Sequence, residues 1–417
     1  MSQSPTQSHS SEITLTGRIR FMLAFFFFAL LWMGGLNIVA AVLLPQHLKD
    51  TSGDAYTKIF TILNVATAIA SLLSNLIVGN LSDRTRSALG RRTPWIMSGG
   101  ILGGVTLFLV GVFTNPWLIG ISYCLSMVGL NMMIAPVIAT LSDRVPDNMR
   151  ATMSAFMSAG TTIGAALGTL IGARFIAIQI PGFVLAGILM GIAGIITCIM
   201  WPKEHSSQDM PTVREGLKDL AVSFRPPTKG ARDFWLAFCG RTLLIFSYYM
   251  ILNYQLYILE DYIGQGKKAA GATISIMSVI TMIVGLIGSL GSGWISDFIG
   301  RRKIPVIVAS LLMAIGFLLP WVMKNPVSMM LFAGFAGLGY AVYGAVDQAL
   351  NVDVLPNKEE AGKDLGILNI ATTLGQMAGP IVTGSLVTAG GYGLVFPTAI
   401  IFAALACVFI MLIKKTK

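Results

Sequence analysis

The chain has 417 residues, 54% of them hydrophobic and 12% charged, with a mean hydropathy of +0.74. A water-soluble chain of this length needs a much larger charged surface, so globular enzymes, disordered scaffolds and nucleic-acid-binding domains are excluded and a polytopic membrane protein is indicated. The formal net charge of +10 is then a topological signal, not the mark of an acidic partner.

Residues 1–20 form a polar, Ser-rich tail with no cleavage pattern, expected in the cytoplasm. A helix needs about 20 apolar residues to cross the hydrocarbon core. Six such runs follow, near 21–44, 57–80, 95–113, 117–141, 152–174 and 182–201, and together they make an N-terminal bundle over 21–201. Hydropathy breaks at Pro202, and 202–233 is a charged linker in which Val213, Leu217, Leu220 and Phe224 have the spacing of a surface helix. Six further runs, near 234–259, 272–296, 304–323, 327–350, 365–388 and 394–413, make a C-terminal bundle over 234–417. The expected fold is an all-α membrane protein of twelve transmembrane helices in two six-helix bundles. With both termini in the cytoplasm, 22 of the 29 Lys and Arg fall inside. Lys49, Lys58, Arg174, Lys267, Lys268 and Lys324 fall outside, and Arg241 alone lies within a span. Cys124, Cys198, Cys239 and Cys407 sit singly in apolar runs, which indicates neither a disulfide framework nor a zinc site.

The halves repeat one another in their loops. Gly79-Asn80-Leu81-Ser82-Asp83 ends the second span and runs into Gly90-Arg91-Arg92; 214 residues later Gly293-Trp294-Ile295-Ser296-Asp297 ends the eighth and runs into Gly300-Arg301-Arg302. Asp143-Arg144-Val145-Pro146 after the fourth span is matched by Asp353-Val354-Leu355-Pro356 after the tenth. Two related six-helix halves are an architecture of secondary transporters, with the solute site at the midplane between them.

On these residues the chain resembles the major facilitator superfamily, whose Gly-x-Leu-x-Asp-Arg…Gly-Arg-Arg loop stands here as Gly79 to Arg92. The extended form from Ser82 to Trp95 is similar to the loop of the glycoside-pentoside-hexuronide and sucrose-type symporters. The resemblance implies a cytoplasmic latch that closes in the outward-facing state. In it Gly79 and Gly293 would allow close helix approach, Asp83 would cap the eleventh span and Asp297 the fifth, and Arg84, Arg91, Arg92, Arg301 and Arg302 would find carboxylates. Topology signalling and binding of anionic lipid are the other reading of the same arginines.

Of the nineteen acids only Asp347 falls inside a span, and a buried ionisable group in a bilayer is a functional candidate by default. Tyr340, Tyr343, Asp347 and Asn351 lie on one stripe of the tenth helix. Arg241 lies about 10 Å into the seventh span and Asp347 about 9 Å into the tenth from the same side, at 1.5 Å per residue, so the two are expected to pair. Two roles are open: protonation of Asp347 that releases Arg241 and couples a proton to solute, or a static pair that makes two buried charges tolerable. Asn37, Asn131, Tyr248 and Gln255, with Tyr340 and Tyr343, are the expected substrate-binding groups, since amides and aromatic faces together suit a sugar. The alternative for each Asn or Tyr is a hydrogen bond to a neighbouring helix.

Gly160, Gly164, Gly168 and Gly172 recur every four residues in the fifth span, a face for close packing. The fifth helix lacks the Gly-Pro element of the superfamily's drug antiporters, which weakens that reading. The second span offers Asn64 and no acid, unlike melibiose-type sodium symporters, so the proton is the expected coupling ion. His9, His47 and His205 are too far apart in topology for a metal cluster, and no P-loop occurs. The expectation is therefore a non-enzymatic, alternating-access transporter of the cell membrane without a cofactor. It would be a monomer by resemblance, taking a sugar or other small polar solute with protons. Proton-coupled efflux of amphiphilic compounds is the alternative.

Overall fold

The computed structural model describes residues 15–204, 206–208, 227, 231–299, 303–354 and 361–414. Among them the chain is helical, without strands, as a lipid-embedded backbone must be if every N–H and C=O is to be satisfied internally. The first crossing is continuous through α1 (Leu15–Ile38), a π-helical turn (Val39–Leu43) and α2 (Leu44–Ser52). The N-terminal half then runs through α3 (Tyr56–Arg84), α4 (Thr93–Val112), α5 (Pro116–Arg144), α6 (Asp147–Arg174) and α7 (Gln179–Met200). The C-terminal half begins with α8 (Arg232–Leu252). This helix breaks at Asn253-Tyr254 and resumes as α9 (Gln255–Tyr257) and a second π-helical turn (Ile258–Tyr262). The remaining crossings are α10 (Lys267–Ile299), α11 (Lys303–Met323), α12 (Pro326–Asp353), α13 (Ala361–Gly390) and α14 (Val395–Met411).

Ten stretches are long and apolar enough to span a membrane among the described residues. One of them, Leu15–Arg84, holds two crossings because the chain turns at the 3-10 segment Gly53–Ala55. The 30-residue α13 supplies the twelfth, less apolar because it carries Thr372, Thr373 and Gln376. Helix starts follow local chemistry. Pro94, Pro116 and Pro326 occupy first-turn positions, and the side chains of Asn115 and Asn325 accept hydrogen bonds from the Trp117 and Ser328 amides. The surface-helix expectation at 213–224 lies outside the described residues.

The two-fold repeat is visible in the packing. In the first half α1 packs on α6 and α7, α4 on α5 and α7, and α3 on α5; in the second α8 packs on α13 and α14, α11 on α12 and α14, and α10 on α12. Across the halves α6 meets α10 and α3 meets α13, again equivalent pairs. Ile62, Ile101, Ile188, Ile287 and Leu311 are each more than half exposed around the perimeter, which is the outer surface of a chain whose solvent there is hydrocarbon.

The glycine face of α6 seats α1. A Cβ at Gly164 would stand 2.6 Å from the Leu30 carbonyl oxygen, one at Gly172 would stand 2.7 Å from that of Ile38, and Gly160 and Gly168 are tighter still. Phe25 and Phe28 of α1 are fully buried, so the phenylalanine run packs as well as facing outward at Phe27.

Candidate functional site

A cavity of about 630 Å³ lies between the halves, lined by the first crossing, α6, α8, α10 and α12. Asn37 enters it from α1, with its Nδ2 donating to the Met33 carbonyl at 3.0 Å. Tyr248, Tyr249, Asn253 and Gln255 line it from the broken seventh crossing, and Tyr340 from α12. Tyr248 and Tyr340 stack with centroids 4.4 Å apart and planes 9° from parallel, and Phe332 also stacks on Tyr248, with centroids 6.1 Å apart. Thr161, Thr162, Thr169, Ser278 and Thr281 supply hydroxyls that sequence reasoning did not single out, because hydroxyls in spans carry no distinctive pattern. Among the described residues the lining holds no Asp, Glu, Lys, Arg or His.

Arg241 and Asp347 are together. Arg241 Nη1 lies 2.5 Å from Asp347 Oδ2, with the two side chains 8% and 4% exposed. Arg241 Nε donates to Thr372 Oγ1 at 2.8 Å. Tyr343 donates its hydroxyl proton to Asp347 Oδ1 at 2.5 Å, and Asn351 Nδ2 donates to Oδ2 at 2.9 Å. The i−4 and i+4 neighbours on α12 thus complete a carboxylate that α8 neutralises. Tyr343 belongs to this network and not to the cavity lining.

Asn131 stands elsewhere, which corrects its expected place at the solute site. Its Nδ2 donates to Ser71 Oγ and to the Met127 carbonyl, both at 2.8 Å, and its Oδ1 accepts from Asn75 Nδ2 at 3.0 Å. It ties α5 to α3, where a polar bridge between helices satisfies groups that lipid would leave bare.

At the end of the molecule that carries Leu15 and Lys414, the loop from Gly79 to Arg92 is built around Arg92, which is 4% exposed. Arg92 Nη2 lies 2.5 Å from Asp83 Oδ1 and 2.9 Å from Asp143 Oδ2, Nη1 donates to Ser82 Oγ at 2.6 Å, and Arg91 Nη2 reaches Asp143 at 2.7 Å. Asp83 therefore pairs within its own half; the side chains at the start of α13 lie outside the described residues. Arg84 closes α3. Among the described residues a Cβ at Gly79 would meet nothing within 4 Å, so the expected close approach is not made there by any of them. The surroundings of Gly293, the side chain of Asp297, and all of Arg301 and Arg302 lie outside what the structure describes.

Glu204 is the residue of this loop system that sequence reasoning left in the linker. Its carboxylate accepts from the amides of Arg91 (3.1 Å), Arg92 (3.2 Å) and Thr93 (2.9 Å) and from Thr93 Oγ1 (2.8 Å). It thereby caps the N-terminus of α4 with a full negative charge. Gly90, at φ +92, is where the carboxylate of Glu204 lies against the backbone, so a side chain there is excluded both by conformation and by space.

At the opposite, distal end the halves are pinned together. Lys49 Nζ pairs with Glu260 Oε2 at 2.6 Å and with Asp261, Lys267 Nζ pairs with Asp50 Oδ1 at 2.5 Å, and Tyr56 donates to Asp261 Oδ2 at 2.5 Å. Tyr257 donates to the Pro45 carbonyl at 2.9 Å, and deeper in, Thr61 and Tyr254 share a hydrogen bond of 2.6 Å. The sequence signal was present as two adjacent charge pairs, Lys49-Asp50 and Glu260-Asp261, at matching ends of the first and seventh crossings.

Two repeated halves of six helices around a central polar cavity, joined at one end by ion pairs, define a membrane transporter of the two-bundle type. The model of the Major Facilitator Superfamily matches residues 20–258 and 241–417, and the chain belongs to that family. Over 82 residues it is 37% identical to a lactose permease of Lactobacillus delbrueckii subsp. bulgaricus, a match that spans 19% of this chain and 12% of the permease. Its fold is similar to that of a bacterial homologue of the human lysosomal transporter Spinster, inward-facing and occupied, with TM-score 0.72, 13% identity, and 97% and 98% of the two chains covered. It is similar also to a point mutant of the nucleoside transporter NupG, with TM-score 0.72, 16% identity, and 94% and 98% covered. The human organic anion transporter MFSD10 gives TM-score 0.64 at 15% identity, with 95% and 99% covered.

Proposed function

We propose that the chain is a proton-coupled symporter of an uncharged polar solute of the sugar or glycoside class, working by alternating access. The observation that carries this reading is the pairing of two neighbouring sites. One is a cavity lined by amides, hydroxyls and stacked tyrosines without an ionic group; the other is a buried Arg241–Asp347 pair one helical stretch away on the same two helices. The cavity offers what a neutral polyol needs: donors and acceptors on Asn37, Asn253 and Gln255, and the flat faces of Tyr248 and Tyr340 for its C–H surface. Asp347 is the group that a proton could neutralise in place of Arg241, with Tyr343 and Asn351 still beside it when Arg241 is released. The local likeness to a lactose permease supports a sugar.

The chain works, on this reading, as a monomer in the cell membrane with both termini in the cytoplasm, as the distribution of Lys and Arg supports. The distal ion pairs then close the outer side, and the arrangement is inward-facing. Asp83, Arg84, Arg91 and Arg92, with Gly79 and the equivalent Gly293, Asp297, Arg301 and Arg302, form the inner latch that must rearrange when that side closes. Met33, Met277 and Met282 in the lining favour a second reading, efflux of amphiphilic compounds, because methionine adapts to irregular apolar surfaces.

The test is counterflow in proteoliposomes against a panel of sugars, glycosides, nucleosides and cationic amphiphiles. Saturable exchange of a neutral glycoside, accumulated when the lumen is alkaline, is the expected result. Exchange of amphiphiles alone would replace this reading with efflux.

A further inference from the structure

His47 on α2 is 8% exposed and is surrounded by acceptors. Its Nε2 lies 2.7 Å from the Phe113 carbonyl oxygen and its Nδ1 lies 3.1 Å from Gln179 Oε1. The Gln179 amide is not free to turn the other way, because its Nε2 donates at 2.9 Å to Asp50 Oδ2 and a carboxylate only accepts. The amide oxygen is thereby directed at His47. A backbone carbonyl also only accepts, so a ring with one N–H can satisfy one of these two acceptors and a ring with two can satisfy both.

The network does not stop at the ring. Asp50, fixed by Gln179 on one oxygen, uses the other to accept from Gln46 Nε2 at 2.9 Å and from Lys267 Nζ at 2.5 Å. Lys267 opens α10 in the opposite half, so the proton on His47 is linked through Gln179 and Asp50 to an ion pair that holds the halves together. The charged groups of this cluster are Asp50 on the same helix, Lys267 from α10, and Lys49, itself taken up by Glu260 and Asp261. From α7 the ring meets Gln179 and the face of Phe183, with centroids 5.6 Å apart, and from the end of α4 the Phe113 carbonyl; α3 contributes Tyr56, which is bound to Asp261.

We propose that His47 is a proton-binding site, separate from the Arg241–Asp347 pair, whose occupancy holds the distal closure. A neutral ring has one N–H. Its lone pair then faces the Phe113 carbonyl at the end of α4 or the Gln179 oxygen, or the amide turns and sets that oxygen against the Asp50 carboxylate. The first sets α2 against α4, and the other two loosen Asp50 and with it the pair to Lys267. Low pH therefore favours the distally closed state, and loss of the His47 proton favours distal opening. The inference rests on the alternating-access reading for its consequence, though not for the protonation itself.

The test uses the full chain with its four cysteines replaced and spin labels at Asp54→Cys and Lys268→Cys, both exposed and in opposite halves, in liposomes from pH 5 to pH 8. The ratio of closed to open distances is expected to fall by about tenfold or more as pH rises, the equivalent of one charge-assisted hydrogen bond. It should lose most of that dependence in His47→Gln and keep it in Asp347→Asn. A wild-type ratio that ignores pH, or a His47→Gln ratio that follows it as wild type does, overturns the proposal. A distance that never changes, with pH or with transported solute, overturns alternating access instead. A second measurement serves if His47→Gln does not fold. With His9 and His205 replaced by Gln, one histidine remains, and its ¹⁵N signals must report two protonated nitrogens in the distally closed state. A neutral ring in that state refutes the site.

Discussion

Removing Arg241 while leaving Asp347 is the perturbation whose size the structure sets most directly. In Arg241→Ala the Asp347 carboxylate, 4% exposed, keeps Tyr343 and Asn351 but loses the cation 2.5 Å away. Breaking one side of a buried ion pair costs about 3–5 kcal/mol because an uncompensated charge is left behind. Replacing both partners with apolar residues of similar volume is neutral or stabilising. Arg241→Ala should therefore lower stability by about 3–5 kcal/mol at pH 8. Part of that loss should be regained at pH 5, where a proton on Asp347 removes the stranded charge. Arg241→Met combined with Asp347→Leu should be at or above wild type at both pH values. Unfolding of the detergent-purified protein, followed by thiol reactivity of the half-buried cysteines, reads all three. If Arg241→Ala matches wild type within about 1 kcal/mol, or if the double variant is the least stable, the pair is not the dominant electrostatic interaction described here.

Other outcomes follow from single contacts. Gly164→Val puts a branched side chain where the Leu30 carbonyl stands 2.6 Å from a Cβ, so α1 and α6 must separate; a loss of about 1–3 kcal/mol and of folded yield is expected, read by size-exclusion chromatography. Glu204→Gln keeps the shape of the α4 cap without its charge and should cost about 0.5–2 kcal/mol in thermal unfolding, whereas Gly90→Ala should cost more, since both its φ of +92 and the carboxylate oppose it. Tyr248→Ala removes one member of the stack with Tyr340 and should weaken solute binding by about 0.5–1.5 kcal/mol, a rise in Kd of about 2- to 12-fold, in calorimetry with the transported glycoside.

The elements that were legible in the sequence were those for which a bilayer leaves no choice. Apolar runs of spanning length had to be helices, and the repeated Gly-x-x-x-Asp…Gly-Arg-Arg loops had to belong to equivalent places. Arg241 and Asp347 were legible because each stood alone in its span and depth along a helix is arithmetic, so their meeting at 2.5 Å follows from the fold. Asn131 was not, because helical periodicity names a face but not the helix opposite it; the face toward Ser71 and Asn75 looks the same in sequence as one toward a cavity. Nothing in Val39–Leu43 or Ile258–Tyr262 distinguishes a π turn from an α turn, since the difference lies in which carbonyl each amide reaches. The distal lock was hidden for a different reason. Lys49, Asp50, Glu260, Asp261 and Lys267 sit at span ends, where charge is expected on topological grounds alone, and only tertiary placement turns complementary pairs into a closure. Glu204 was read as linker because its cap spans more than 110 residues of sequence.

The central claim is that Asp347 carries the coupled proton, and solute flux in proteoliposomes with and without an imposed pH gradient tests it most directly. Wild type should accumulate solute when the gradient is applied and exchange it when it is not; Asp347→Asn should exchange at a comparable rate and accumulate nothing. Proton-driven accumulation that survives in Asp347→Asn would contradict the account.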